Sequence, residues 1–179
     1  MLNKDQKVLI IGQGLAGTIL AFSFEKAGIP FEIYDDESIS NSSRVAAGLW
    51  NPIIAGKYVL AWRSNEFIPF LNQFYPELER KLNASFFHPK PIYKIVMSEK
   101  ERKYLNERKF IEPASGFFEE VEFDLNPIFF QNPNLGLVKI NNSGWLDINN
   151  FLNQAKAYFI QKKFFIRASE TEKNAPISE

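Results

Sequence analysis

The clearest pattern lies near the start of the chain. Val8-Leu9-Ile10-Ile11 is continuously apolar and runs into Gly12, so Lys7 to Ile11 reads as a short buried strand. Ala16, Ile19, Leu20, Ser23, Phe24 and Ala27 then fall near one face of a helix from about Leu15 to Ala27. Gly28 suits the end of that helix, because glycine accepts the left-handed conformation there. Phe31 to Tyr34 reads as a second strand, closed by the acidic run Asp35-Asp36-Glu37. Strand, glycine turn, helix and strand make a βαβ unit, with parallel strands and a right-handed crossover.

The chain then changes character. Ser38 to Lys57 is rich in Ser, Asn, Ala and Gly, with neither helical nor alternating period. Phe67, Phe70, Leu71 and Phe74 return to helical spacing, and Pro76 is expected to end that helix. Ile92 to Met97 predicts a strand, and Ser98-x-x-Glu101 a capping box for the charged helix that follows. Phe117 to Phe123 and Leu137 to Ile140 predict further strands, separated by Asn- and Pro-rich turns. This middle region therefore predicts a mixed, antiparallel α+β lobe. Asp147 can cap a helix from about Ile148 to Lys162, with Phe151, Leu152, Ala155, Tyr158 and Phe159 on its apolar face. Phe164 to Arg167 then predicts a strand that could return to the first sheet as its third parallel member. The stretch from Glu170 to Glu179 is polar and reads as a tail.

Composition narrows the chemistry. A chain of 179 residues is long enough for one sizeable core or two small lobes. Apolar residues at 45% and charged residues at 23% are ordinary for a globular protein. Lys+Arg and Asp+Glu both number 21, so the basic excess that holds proteins to nucleic acid is missing. With no Cys, disulfides, thiolate metal sites and a cysteine nucleophile are excluded. His88 is the one imidazole, which excludes a His-rich zinc site; between Phe87 and Pro89 it reads as a loop residue. Lys4 and Lys7 before the stretch Val8 to Phe24 resemble a signal peptide, but Gly12, Gln13, Gly14 and Gly17 interrupt it. No other apolar run approaches the ~20 residues that span a bilayer. The expectation is a cytoplasmic protein without a transmembrane segment.

Gly12-Gln13-Gly14-Leu15-Ala16-Gly17 is a G-x-G-x-x-G turn between a strand and a helix. The first glycine permits the tight turn, the second lets a pyrophosphate approach the backbone, and the third lets helix and strand pack closely. The free N–H groups and the helix dipole then favour phosphate. Asp35 ends the second strand about 20 residues on, where a carboxylate can accept hydrogen bonds from ribose hydroxyls. The adjoining Asp36 and Glu37 disfavour a 2′-phosphate by repulsion. The same glycines could also serve only as a tight strand–helix turn, with Asp35 a solvated strand end. Ser42, Ser43, Arg44, Ala47, Gly48 and Leu49 follow in a small-residue run whose amides and hydroxyls could lie along an extended cofactor, with Arg44 able to approach phosphate. A surface loop of incidental composition is the other reading of that run.

Val45-Ala46-Ala47-Gly48-Leu49-Trp50-Asn51-Pro52, together with Gly12, Gly14 and Gly17, resembles the D-amino acid oxidase family of FAD-dependent oxidoreductases. The specific likeness covers about residues 7 to 57. By that resemblance the cofactor is FAD. Gly12, Gly14, Leu15, Ala16 and Gly17 border its pyrophosphate, and Asp35 and Asp36 its ribose. Ser42, Ser43, Arg44, Ala47, Gly48 and Leu49 wrap it toward the flavin. Asp36 stands where the family often has Arg. The implied reaction is oxidation of a small amine or amino acid by hydride transfer to flavin, which requires no side-chain acid or base, so no catalytic residue is named. The resemblance implies that Trp50 and Asn51 lie near the flavin or substrate cavity, and for Trp50 plain core packing is the other reading. The implied fold is α/β: a Rossmann-like FAD-binding lobe from residues 1–60 and 144–170, a partial substrate-type lobe from 61–143, and a tail from 171–179. Family members are about twice as long, so this chain reads as their N-terminal half, with the rest supplied by a further segment or partner chain. A missing half predicts exposed apolar surface near the third strand. A non-catalytic dinucleotide-binding module, or an inactive truncated remnant, is the alternative reading.

Overall fold

The computed structural model describes residues 7–36, 42–111, 114–121 and 136–167. In chain order its elements begin with β1 (Val8–Ile11), α1 (Leu15–Ala27), β2 (Phe31–Asp35) and α2 (Ser42–Val45). There follow the short strands β3 (Leu49–Trp50), β4 (Ile53–Ile54) and β5 (Val59–Leu60), then α3 (Ser64–Leu82). Next come β6 (Phe87–Pro89), β7 (Ile92–Ile95), α4 (Glu99–Arg108), a 3-10 turn (Ala114–Phe117) and β8 (Phe118–Val121). The last elements are β9 (Leu137–Ile140), β10 (Gly144–Leu146), α5 (Ile148–Gln161) and β11 (Phe165–Arg167). Two compact units divide the chain. The first is Met1–Ala47, Lys81–Phe86 and Asp147–Glu179; the second is Gly48–Arg80 and Phe87–Leu146.

The first unit carries a parallel sheet in the order β1-β2-β11. Val8 aligns with Phe31 and Ile11 with Tyr34, while Phe165 aligns with Ile33. Helix α1 ends as its sequence requires: Gly28 takes φ 66°, and the N–H groups of Gly28 and Ile29 donate to Glu25 and Phe24. Asp147 caps α5 by accepting from the Asn150 N–H at 3.0 Å. Phe151, Leu152, Ala155 and Phe159 of α5 are fully buried, as the apolar face demands. Phe22 meets Phe159 at 4.6 Å between ring centroids, and Phe31 meets Phe164 at 4.8 Å. These aromatic contacts, with Ile10 and Ile33, form the core on one side of the sheet.

The other side of that sheet is different. Leu9 and Ile11 alternate with the buried Ile10 and are 55% and 80% exposed. Among the described side chains of the sheet, the exposed apolar ones on this face are Leu9 and Ile11 of β1.

Among the described residues, every strand pairing in the second unit is antiparallel. Its sheets run β3-β10-β6, β4-β5 and β7-β9-β8. Ile53, Tyr58, Val96, Leu105, Ala114, Phe118, Val138 and Ile140 form one buried cluster. Several expectations are corrected here. Residues Ser42–Val45, Leu49–Trp50 and Ile53–Ile54 are regular although their sequence shows no period. Helix α3 passes through Pro69 and Pro76 instead of ending at the latter. Its buried positions are Ser64, Ile68, Phe74, Tyr75 and Leu78, while Phe67 and Phe70 are exposed. Burial of Tyr75 and Leu78 on either side of Pro76 offsets the hydrogen bond that proline removes. His88 lies in β6 rather than in a loop, aligned with Trp145 and stacked on its ring at 4.3 Å. The strand expected over Phe117 to Phe123 starts one residue later, and Phe123 lies outside the described residues, as do Glu37 and Glu170 to Glu179.

Candidate functional site

The glycine turn closes the C-terminal end of β1. Gly12 takes φ +90°, a conformation that side chains resist, and its N–H donates to the Tyr34 carbonyl at 2.8 Å. Gly14 is the extended residue before α1, and its carbonyl accepts from the Thr18 N–H at 3.0 Å. Gly17 has a steric reason to be glycine: a Cβ there would lie 2.1 Å from the Gly12 carbonyl oxygen and 3.3 Å from Cγ2 of Ile10. The first and third glycines therefore perform the turning and close-packing tasks of the motif.

Asp35 reaches the same turn. Its Oδ2 accepts from the Gln13 N–H at 2.6 Å, so the acid at the end of β2 is anchored to the glycine loop. Asp36 follows it, exposed. Ser43 of α2 also comes to the turn, where its Oγ accepts from the Leu15 N–H at 3.0 Å. A protein oxygen thus already sits before one amide at the start of α1, the kind of partner that a phosphate oxygen would be. Ala16, in the first turn of α1, is exposed.

The remaining sequence-selected residues divide. Arg44 is held against α5: its Nη1 donates to Oδ1 of Asn153 at 3.0 Å and of Asn149 at 3.4 Å, and Asn149 donates back to the Arg44 carbonyl at 3.2 Å. Ser42 and Ala47 are exposed. Gly48 and Leu49 belong to the second unit, where the Gly48 carbonyl accepts from the Leu146 N–H at 3.0 Å and Leu49 aligns with Trp145. Trp50 stacks on Phe87 at 5.4 Å, and its buried Nε1–H has no partner among the described residues. Asn51 turns its Oδ1 to the Ile53 N–H at 3.1 Å.

Three contributors were not singled out from the sequence. Gln13, at a variable position of the motif, is buried and donates through Nε2 to the Leu152 carbonyl at 3.1 Å, tying the turn to α5. Asn149 and Asn153, one helical turn apart, hold Arg44; their i, i+4 spacing was the available signal. Among the described residues, no group of His, Asp and Glu is placed to hold a metal ion.

The class of architecture is a Rossmann-type βαβ unit with an antiparallel α+β unit set into its sequence. No family model matches the sequence. Glycine oxidase from Bacillus cereus ATCC 14579 matches 90% of this chain at 20% identity, with a TM-score of 0.65. L-proline dehydrogenase from P. horikoshii matches 93% at 12% identity and TM-score 0.61. L-alpha-glycerophosphate oxidase from Mycoplasma pneumoniae, solved with FAD bound, matches 90% at 15% identity and TM-score 0.56. The matches cover 46%, 45% and 44% of those chains, so this chain spans just under half their length. The likeness to D-amino acid oxidase-like oxidoreductases, read first from the glycine turn and the run Val45 to Pro52, thus extends to the fold.

Proposed function

We propose that this chain carries the FAD-binding part of an oxidoreductase that acts on a small amine or amino acid. The observation that carries the reading is the turn itself. Gly12 bends it, Gly17 brings α1 against it, and Asp35 is fixed beside it through the Gln13 amide. This arrangement fits a dinucleotide: the amides of Gly14, Ala16 and Gly17 suit a diphosphate, and the Asp35 carboxylate suits a ribose. Ser43 holds the Leu15 amide and stands at the rim of the same site. Asp36 adds negative charge beside the ribose position, which favours an unphosphorylated ribose. By family resemblance Ser42, Arg44, Ala47, Gly48 and Leu49 continue along the cofactor. The grip of Asn149 and Asn153 on Arg44 makes that arginine a support for α2.

When bound, the flavin would accept the two electrons released as the C–N bond of the substrate becomes an imine. The chain's own task is binding and orientation. By the same resemblance, residues 1–60 and 144–170 form the cofactor lobe and 61–143 part of the substrate lobe, in a cytoplasmic enzyme. The described helices include none long and apolar enough to cross a membrane. The fold of the glycine oxidase and L-proline dehydrogenase supports the substrate class.

The test is purification of the intact protein without added cofactor. Flavin absorbance should travel with it and bleach anaerobically on adding an amino acid. Protein that carries no flavin, and takes none from excess FAD, would refute the assignment.

A further inference from the structure

Helix α2 is too small to hold itself in place. Its 4 residues cannot recover the cost of starting a helix, and none of them is buried. Val45, its one large apolar side chain, is 86% exposed. The position of α2 must therefore come from polar contacts, and two neighbouring residues supply them. Ser43 Oγ accepts from the Leu15 N–H at the start of α1. Arg44 reaches the other way: its Nη1 donates to Oδ1 of Asn153 and of Asn149 on α5, and Asn149 returns a bond to the Arg44 carbonyl. A charged donor makes such bonds stronger than neutral ones. All these residues belong to the first unit, where α5 is itself fixed by its buried Phe151, Leu152, Ala155 and Phe159. A rigid helix thus grips a short one, and the short one carries the hydroxyl that meets α1.

We propose that Arg44 is a positioning residue for the cofactor, acting through Ser43 and without touching phosphate, a step that rests on the cofactor reading above. Arg44 pins α2 to α5 and so keeps the Ser43 hydroxyl at the Leu15 amide, beside the amides suited to a diphosphate. Its Nη1 spends both hydrogens on Asn153 and Asn149. Swinging the guanidinium to a phosphate would undo the bonds that hold α2, and Ser43 would be released with it. A lysine at this position, lacking the planar fork, would keep only part of the grip.

Two readouts on the intact protein test this. The first, hydrogen exchange without flavin, reports the Leu15 amide. The paired variant Asn149→Ala/Asn153→Ala should speed its exchange severalfold, while the Thr18 amide, which donates to the Gly14 carbonyl, should not change. Both asparagines are exposed, so circular dichroism should show an intact fold. The second is FAD titration followed by flavin fluorescence. Affinity should fall about tenfold in the paired variant and in Arg44→Ala, the size of one or two hydrogen bonds. Combining all these substitutions should weaken it no further, because they break one relay. Arg44→Lys should fall between, and in Ser43→Ala the asparagine substitutions should add nothing. Unchanged exchange at Leu15 in the paired variant would overturn the relay. Full FAD affinity in the paired variant, with weak affinity in Arg44→Ala, would overturn it in favour of direct phosphate contact. Either result, in a wild type that binds FAD, sinks this step alone; a wild type that takes no FAD sinks the cofactor reading and this step with it.

Discussion

Gly17 shows how one missing side chain sets a site. The Gly12 carbonyl lies where its Cβ would be, and a backbone atom in a tight turn has no rotamer through which to yield. Gly17→Ala must therefore push α1 off β1, at about 1–3 kcal/mol of the kind seen on overpacking. Urea unfolding followed by circular dichroism measures that loss, and FAD titration of the intact protein should weaken in parallel. Glu101 is the corresponding polar case in the second unit. It is 8% exposed, yet its carboxylate accepts from Tyr58 Oη at 3.0 Å, from the Met97 N–H at 3.0 Å and from Lys94 Nζ. Burial pushes its pKa up, but the bonds from Lys94, Met97 and Tyr58 outweigh this and hold it below the usual carboxylate range. A depressed carboxyl stabilises the fold above its unfolded pKa, and that contribution is lost as pH falls through the folded value. Acid titration should therefore weaken the wild type below about pH 4, the ordinary range of glutamate. Glu101→Gln should lose about 1–3 kcal/mol at neutral pH and show a flatter acid limb in pH-dependent urea midpoints.

Helices show where local signals decide and where packing does. Asp147 accepts the Asn150 N–H at the start of α5, so Asp147→Ala should cost about 1 kcal/mol in thermal unfolding. Such caps were legible: Gly28, Asp147 and Ser98 each end or start a helix where their chemistry indicates, with Ser98 Oγ accepting from the Glu101 N–H at 3.2 Å. The capping box is only half reciprocal, because Glu101 answers Met97 instead of Ser98. What sequence could not reveal was burial by distant neighbours. Pro76 punctuates the chain locally, yet α3 continues to Leu82 because Phe74, Tyr75 and Leu78 are buried around it. Pro76→Ala should accordingly raise stability, by up to about 3 kcal/mol if the restored N–H bonds the Asn72 carbonyl. An unchanged or lowered melting temperature would show that the proline ring itself packs there. The candidate site divides in the same way. The geometry of the glycine turn, with Asp35 beside it, was readable because motif, strand and helix are contiguous or nearly so, while its role toward a cofactor stays with the proposal. Arg44 was not, since Asn149 and Asn153 lie far along the sequence and meet it only in the fold.

At the scale of the molecule, the chain passes between its units so that the second is drawn from two stretches and the first from three. The sequence made legible the return of the chain to the first sheet, because the helix after Asp147 and the strand after it resume its pattern, and β11 pairs with β2 in parallel. Each unit has its own apolar interior. Phe22, Phe31, Phe151 and Phe159 serve the first, and the cluster around Tyr58, Val96, Leu105 and Ile140 serves the second without a residue from the first. The optical probes divide just as cleanly: Trp50, Trp62 and Trp145 are the only tryptophans and all belong to the second unit. Tryptophan fluorescence therefore reports the second unit alone, whereas far-ultraviolet circular dichroism also reads α1 and α5. Because small domains unfold as cooperative units around their own cores, Gly17→Ala should lower the dichroism midpoint more than the fluorescence midpoint. Glu101→Gln should do the reverse. Midpoints that shift together in both variants would mean that one cooperative transition governs the whole chain despite its separate cores.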